Sequence, residues 1–226
     1  MELPKACINS VRSWYFSYTR EVLRLTHSTV LSPSVSDFMS MKKQLLRALL
    51  DLPLDVEQCP FCVLAEGQCA RCWYAEHYKP CDHKGGAYQK LRKSISQFYE
   101  AVEGYWESDK EVEPSKNAQA ALQAAQHNLI YWLSSFMQAV SYSTYKLLGA
   151  STVDRYMGAK QSLMLTIVNS LPLRNTYCPF CLAHASNCDS CEYAMLYGKC
   201  EDTDSTFAQL ITAKNKILEA LRKYWK

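Results

Sequence analysis

Residues 59–81 read CPFCVLAEGQCARCWYAEHYKPC, and residues 178–200 read CPFCLAHASNCDSCEYAMLYGKC. The two stretches align without a gap at an offset of 119, and ten of their 23 positions are identical. Five of those ten are cysteines: Cys59, Cys62, Cys69, Cys72 and Cys81 correspond to Cys178, Cys181, Cys188, Cys191 and Cys200. The others are Pro60/Pro179, Phe61/Phe180, Tyr74/Tyr193, Ala75/Ala194 and Tyr78/Tyr197. A fixed-offset recurrence of this kind marks an internal duplication and sets the frame for everything else in the chain.

Working outward, Leu52-Pro53-Leu54 corresponds to Leu171-Pro172-Leu173, Glu100-Ala101 to Glu219-Ala220 and Tyr105-Trp106 to Tyr224-Trp225. Towards the N-terminus, Trp14, Tyr18 and Val22 pair with Trp132, Phe136 and Val140 at an offset of 118, so one residue has been gained or lost between. The polar stretch around Ser108–Lys116, with Pro114 inside it, suits a boundary. The expected units are residues 1–110, carrying the cluster at 59–81, and residues 111–226, carrying the cluster at 178–200.

Apolar residues at Tyr88, Leu91, Ile95, Phe98, Val102 and Tyr105 are spaced alternately three and four apart, which lays one stripe along a helix. Phe207, Leu210, Ile217, Leu221 and Tyr224 repeat it, with Lys214 breaking the row. Val11, Trp14, Tyr18, Val22 and Leu25 predict an opening helix, as do Leu129, Trp132, Phe136 and Val140. Middle helices are expected near Val35–Leu50 and Thr152–Ser170, with Ser34 or Ser36 and Ser151 as N-caps. Each Leu-Pro-Leu then stops the helix before it. No alternating strand pattern of useful length appears, and 7 Gly and 8 Pro are too few for a turn-rich β protein. The expected fold is all-α: a tandem duplication of a three-helix repeat, with a cysteine-rich clip between helices 2 and 3. The aromatic stripes are expected to be core rather than stacking platforms for bases, which usually sit in a basic groove.

The clip spacing is Cys-x2-Cys-x6-Cys-x2-Cys-x8-Cys. Two Cys-x2-Cys pairs supply the four soft ligands that tetrahedral zinc takes at about 2.3 Å. Pro60 and Pro179 pre-set φ just after the first cysteine, as a turn or helix start requires. The first ligand sets to consider are Cys59, Cys62, Cys69 and Cys72, and Cys178, Cys181, Cys188 and Cys191; Cys81 and Cys200 are able to replace a member. The clip resembles a four-cysteine zinc knuckle over these stretches alone, and the Cys-Pro-Phe-Cys opening carries the resemblance. Zinc ribbons usually have Gly after the second cysteine of each pair, where this chain has Val63, Trp73, Leu182 and Glu192. Zinc, two per chain, is the expected cofactor; an iron–sulfur cluster and a disulfide framework are the alternatives. Five cysteines per repeat fit disulfides poorly, and the eleventh, Cys7, reads as a small apolar residue.

A formal charge of +3 is a weak basic bias. Two dications each held by four thiolates would take it to about −1, which weighs further against nucleic acid as the main partner. Basic runs do occur: Lys79, Lys84, Lys90, Arg92 and Lys93 after the first clip, and Lys214, Lys216, Arg222, Lys223 and Lys226 at the end. The N-terminal residues Met1–Lys5 are not followed by an apolar signal segment, and no uninterrupted apolar run reaches the roughly 18 residues of a membrane span. A cytoplasmic protein with reduced, metal-binding cysteines is expected. His77, His83 and His184 face Leu196, Asp202 and Ala65 at the matching positions, so none is a ligand common to both clips. No phosphate loop, nucleophile elbow or Glu-x-x-His motif is present, and catalysis is not expected. The leading functional expectation is a non-enzymatic zinc-binding helical scaffold or adaptor with a protein partner or self-association. Nucleic-acid binding through basic helix faces and electron transfer are the rivals.

Overall fold

Helix starts and stops follow local chemistry throughout the computed structural model, which describes residues 1–107 and 114–225. The boundary expected between residues 110 and 111 lies outside those residues, as does Lys226. The first half holds α1 (Lys5–Val30), α2 (Val35–Leu49), α3 (Pro60–Leu64), α4 (Trp73–Tyr78) and α5 (Ala87–Tyr105). The second holds α6 (Lys116–Leu148), α7 (Val153–Asn169), α8 (Pro179–Ala183), α9 (Glu192–Tyr197) and α10 (Thr206–Arg222). Each half therefore presents two long helices, two short ones at the cysteines, and a closing long helix. The fold is all-helical; among the described residues the only β pairing is an isolated bridge between Glu2 and Thr152.

Ser34 caps α2, its hydroxyl accepting the Asp37 amide at 3.1 Å. In the second half the cap is Thr152 rather than the expected Ser151, and it accepts from the Arg155 amide at 3.4 Å. The cap falls at the same place in both halves, 118 residues apart: Ser34 and Thr152 are both extended, and helical geometry begins at Val35 and Val153. At the far ends, carbonyls left over by helix termination are taken by indoles. Trp14 donates to the Asp51 carbonyl at 2.9 Å and Trp132 to the Ser170 carbonyl at 2.5 Å.

The expected stripes are buried. Val11, Trp14, Tyr18, Val22 and Leu25 of α1 face inward, as do Leu129, Trp132, Phe136 and Val140 of α6. On α10 Ala213 fills the turn at which the row was interrupted, while Lys214 turns outward towards the Asn169 carbonyl. Within each half, α1 packs on α2 and α6 on α7, with α5 and α10 against α2 and α7 in turn. Between halves like meets like: α1 lies on α6, and α5 on α10.

The ends of the closing helices cross over. Trp106, just past α5, reaches the second half, its ring 6.0 Å from Phe180 and 5.8 Å from Tyr197. Trp225, just past α10, reaches the first, 5.5 Å from Phe61 and 5.6 Å from Tyr78. Hydrogen bonds repeat the exchange. The Tyr74 hydroxyl donates to the Tyr224 carbonyl at 3.0 Å, and the Tyr193 hydroxyl to the Tyr105 carbonyl at 2.9 Å. Trp106 is almost fully buried in this crossing. Trp106→Ala is expected to cost about 3–5 kcal/mol, the usual loss for emptying a large aromatic site. Urea unfolding of the variant and the parent chain measures it; a loss below about 1 kcal/mol would mean the crossing contributes little.

Candidate metal centre

Each cysteine cluster is built by the same local rules. Cys59 and Cys178 are extended residues at the N-caps of α3 and α8, and Pro60 and Pro179 occupy the first helical position. The helix places Cys62 and Cys181 one turn on. Glu66 and Gly67 then take positive φ in the first half, and Ala185 and Ser186 in the second, folding the chain back. Cys72 and Cys191 are the N-caps of α4 and α9. Those helices end at Lys79, φ 68°, and Gly198, φ 81°. Glycine takes this left-handed region freely at Gly198; in the first half a lysine is held in the same region at a steric cost. Two residues on, Cys81 and Cys200 return to the cluster.

The fifth cysteine returns to the same neighbourhood as the first pair. In the first half Cys59, Cys62 and Cys81 border one cavity. Cys72 is buried and Cys69 exposed. In the second half Cys178, Cys181 and Cys200 border the matching cavity, and Cys191 is buried. Cys188 stands apart, its thiol 3.8 Å from the Ser186 carbonyl. The sequence spacing ranked Cys69 ahead of Cys81 and Cys188 ahead of Cys200; in the fold Cys81 and Cys200 border the cavities beside the first pair, and Cys69 is exposed. All eleven cysteines are free thiols. Among the described residues, no three His, Cys, Asp or Glu side chains stand in an arrangement that would hold a metal ion.

Crowding governs thiol acidity here. The Cys62 contact, then burial, pushes the Cys59 thiol well up. In the Cys62 thiol, contact with Cys59 lowers the pKa, but contact with Cys81 and burial outweigh it, and the thiol is raised to about 11. Cys81 goes the other way, pulled down by its Cys62 contact. Cys178 is raised like Cys59, and Cys181 is pushed up to about 12, contact with Cys200 and burial outweighing contact with Cys178. Packed sulfurs resist sharing negative charge unless a cation is among them.

A cavity opens beside each group. That of the first half, about 260 Å³, is lined by Cys59, Cys62, Cys81, Tyr74, Tyr88 and Tyr224 among others. That of the second, about 110 Å³, is lined by Cys178, Cys181, Cys200, Tyr193, Phe207 and Tyr105. Position by position these are the same site, and in each the last-named tyrosine comes from the other half. Lys42 also lines the second cavity.

The remaining candidates are accounted for. His77 stacks on Trp73 at 4.0 Å, and His83 accepts from the Gly85 amide at 3.1 Å. His184 bonds Glu192 at 2.7 Å, which ties the second clip together without touching its sulfurs. Cys7 is fully buried at the start of α1, where burial and then the nearby Cys59 raise its thiol to about 11. Of the basic residues singled out, Lys84, Lys90, Arg92, Lys93, Lys216, Arg222 and Lys223 lie on exposed faces of the chain. No helix of the described residues is long and apolar enough to cross a membrane.

Accessibility orders the thiols. Brief alkylation of metal-free protein, followed by peptide mass mapping, is expected to label Cys69 first and Cys7 last. Labelling of Cys59 or Cys62 ahead of Cys69 would contradict the arrangement. Comparison of the chain with protein-family models, curated proteins and solved structures finds no match.

Proposed function

We propose that this chain is a non-enzymatic helical scaffold, a tandem duplication of a three-helix repeat in which each clip binds one metal ion through thiolates. The ligands in this reading are Cys59, Cys62, Cys72 and Cys81, and Cys178, Cys181, Cys191 and Cys200, with zinc as the ion that four soft ligands suit. Cys69 and Cys188 remain outside the sets. The observation that supports the reading is that three cysteines border a cavity, with a fourth buried in the same clip, at matching places in both halves. A bound cation would draw these sulfurs together and remove the penalty of crowding them, because it favours the thiolates. Four thiolates leave no open position for substrate or water, which is why no reaction is assigned. In this reading the helices meet a protein partner or a second copy.

A second reading has its own support. Two cavities lined by three cysteines each provide more room than a single ion needs, and an iron–sulfur cluster also takes thiolates.

Elemental analysis of purified protein with a free-thiol count tests both. Two zinc per chain is expected, with three reactive thiols remaining of the eleven (Cys7, Cys69 and Cys188). Iron with sulfide would replace zinc by the second reading, and eleven reactive thiols with no metal would end both. Structural zinc contributes apparent folding free energy of about 10–16 kcal/mol per site in small peptides. Stripping it with a chelator is expected to lower the melting temperature by roughly 10 °C or more, since each kcal/mol moves a chain of this length by about 2–4 °C. An unchanged melt would remove the structural role.

A further inference from the structure

Lys42 and Lys160 occupy matching places on α2 and α7, and both are fully buried, at 1% and 0% exposure. Charged residues are seldom found in such positions without a partner. Among the described residues neither forms a salt bridge with a carboxylate. Each instead reaches across to the other half. Lys42 Nζ donates to the Tyr177 carbonyl at 2.7 Å, immediately before Cys178, and to the Tyr105 hydroxyl at 3.2 Å. It also lies 5.6 Å from the centre of the Tyr105 ring. Lys160 Nζ donates to the Gln58 carbonyl at 2.9 Å, immediately before Cys59, where the Tyr156 hydroxyl donates to the same oxygen.

Each amine lies within electrostatic reach of the sulfurs of the opposite clip. Burial disfavours the ammonium of Lys42, and Cys178, Cys181 and Cys200 work against that. Burial likewise disfavours the ammonium of Lys160, opposed by Cys59, Cys7 and Cys62, with Asp55 adding a weaker pull. One ammonium per clip, facing the first cysteine from the opposite half, is what a dianionic tetrathiolate centre would need in a buried setting. The same contact formed twice, in opposite directions, makes a chance snorkelling lysine a poor account.

We propose that Lys42 and Lys160 are the positioning counter-charges of the two metal centres, each supplied by the half that does not ligate the metal. The centre at Cys178, Cys181, Cys191 and Cys200 is completed by Lys42, and the centre at Cys59, Cys62, Cys72 and Cys81 by Lys160. Each ion then holds the two halves to one another as well as closing its own clip. This rests on the reading of the clips as metal–thiolate centres.

The test uses the full chain and zinc itself. Metal-free parent protein, Lys42→Met and Lys160→Met are titrated with zinc against a chromophoric chelator, and pulsed alkylation with peptide mapping reports which cysteines each ion protects. Lys42→Met is expected to weaken the Cys178 centre about 10–100-fold, the usual range for losing a supporting group around a metal site, and to leave the Cys59 centre nearly unchanged. Lys160→Met is expected to do the reverse. With cobalt as the probe ion, the thiolate-to-metal absorption of the affected centre moves to longer wavelength, because the sulfurs lose a neighbouring positive charge. Lys42→Arg keeps the charge and is expected to bind more tightly than Lys42→Met. Weakening confined to the lysine's own half, equal weakening of both centres, or no weakening overturns the proposal, and so do Arg and Met variants that behave alike. The two lysines are tested separately, so a variant that fails to fold leaves the other to decide. A parent chain that takes up no zinc would instead end the reading of the centres themselves.

Discussion

Helices of five or six residues do not hold themselves together, because one or two turns of backbone hydrogen bonds do not offset the entropy of nucleation. α3, α4, α8 and α9 are all of this size. What holds them is cover, and the cover comes from the opposite half of the chain. Tyr224 and Trp225 close over α3 and α4, and Tyr105 and Trp106 over α8 and α9. The exchange is reciprocal, so neither clip is finished until both halves are in place. The pairing of α1 with α6 and of α5 with α10 accompanies this exchange.

The same exchange brings two buried amines to two groups of thiols. Neutral thiols and a buried ammonium make a poor pair, since the charge has left water and found only a carbonyl and, for Lys42, a phenol. Thiolates around a cation reverse that account: the ion brings the sulfurs together, and the centre's net negative charge gives the ammonium its partner. The cysteines and the lysines thus make sense together, although they lie far apart in sequence.

This view also separates the two kinds of cysteine in each clip. Cys69 and Cys188 complete the Cys-x2-Cys pattern on paper but start a short turn that faces outward. Cys81 and Cys200, which no paired spacing advertises, sit where the chain re-enters after a left-handed residue. The left-handed stop one residue after the last aromatic of α4 and α9 is what turns the chain so that Cys81 and Cys200 follow two residues later.

Much of the fold was legible from the chain alone. The helical class and the long helices follow from period and spacing, because those depend on neighbours within a turn or two. The N-cap of α2 was readable on Ser34, and that of α7 falls at the matching position, on Thr152 rather than on Ser151 before it. Three things required the tertiary structure: the crossing of the tails, the burial of Lys42 and Lys160 against the opposite clip, and the place of Cys81 on the cavity beside Cys59 and Cys62. Each depends on residues brought together from opposite halves, or on the direction in which a short turn leaves the core. A sequence records which side chains are available; which of them share a dry space is decided only when the two halves close on one another.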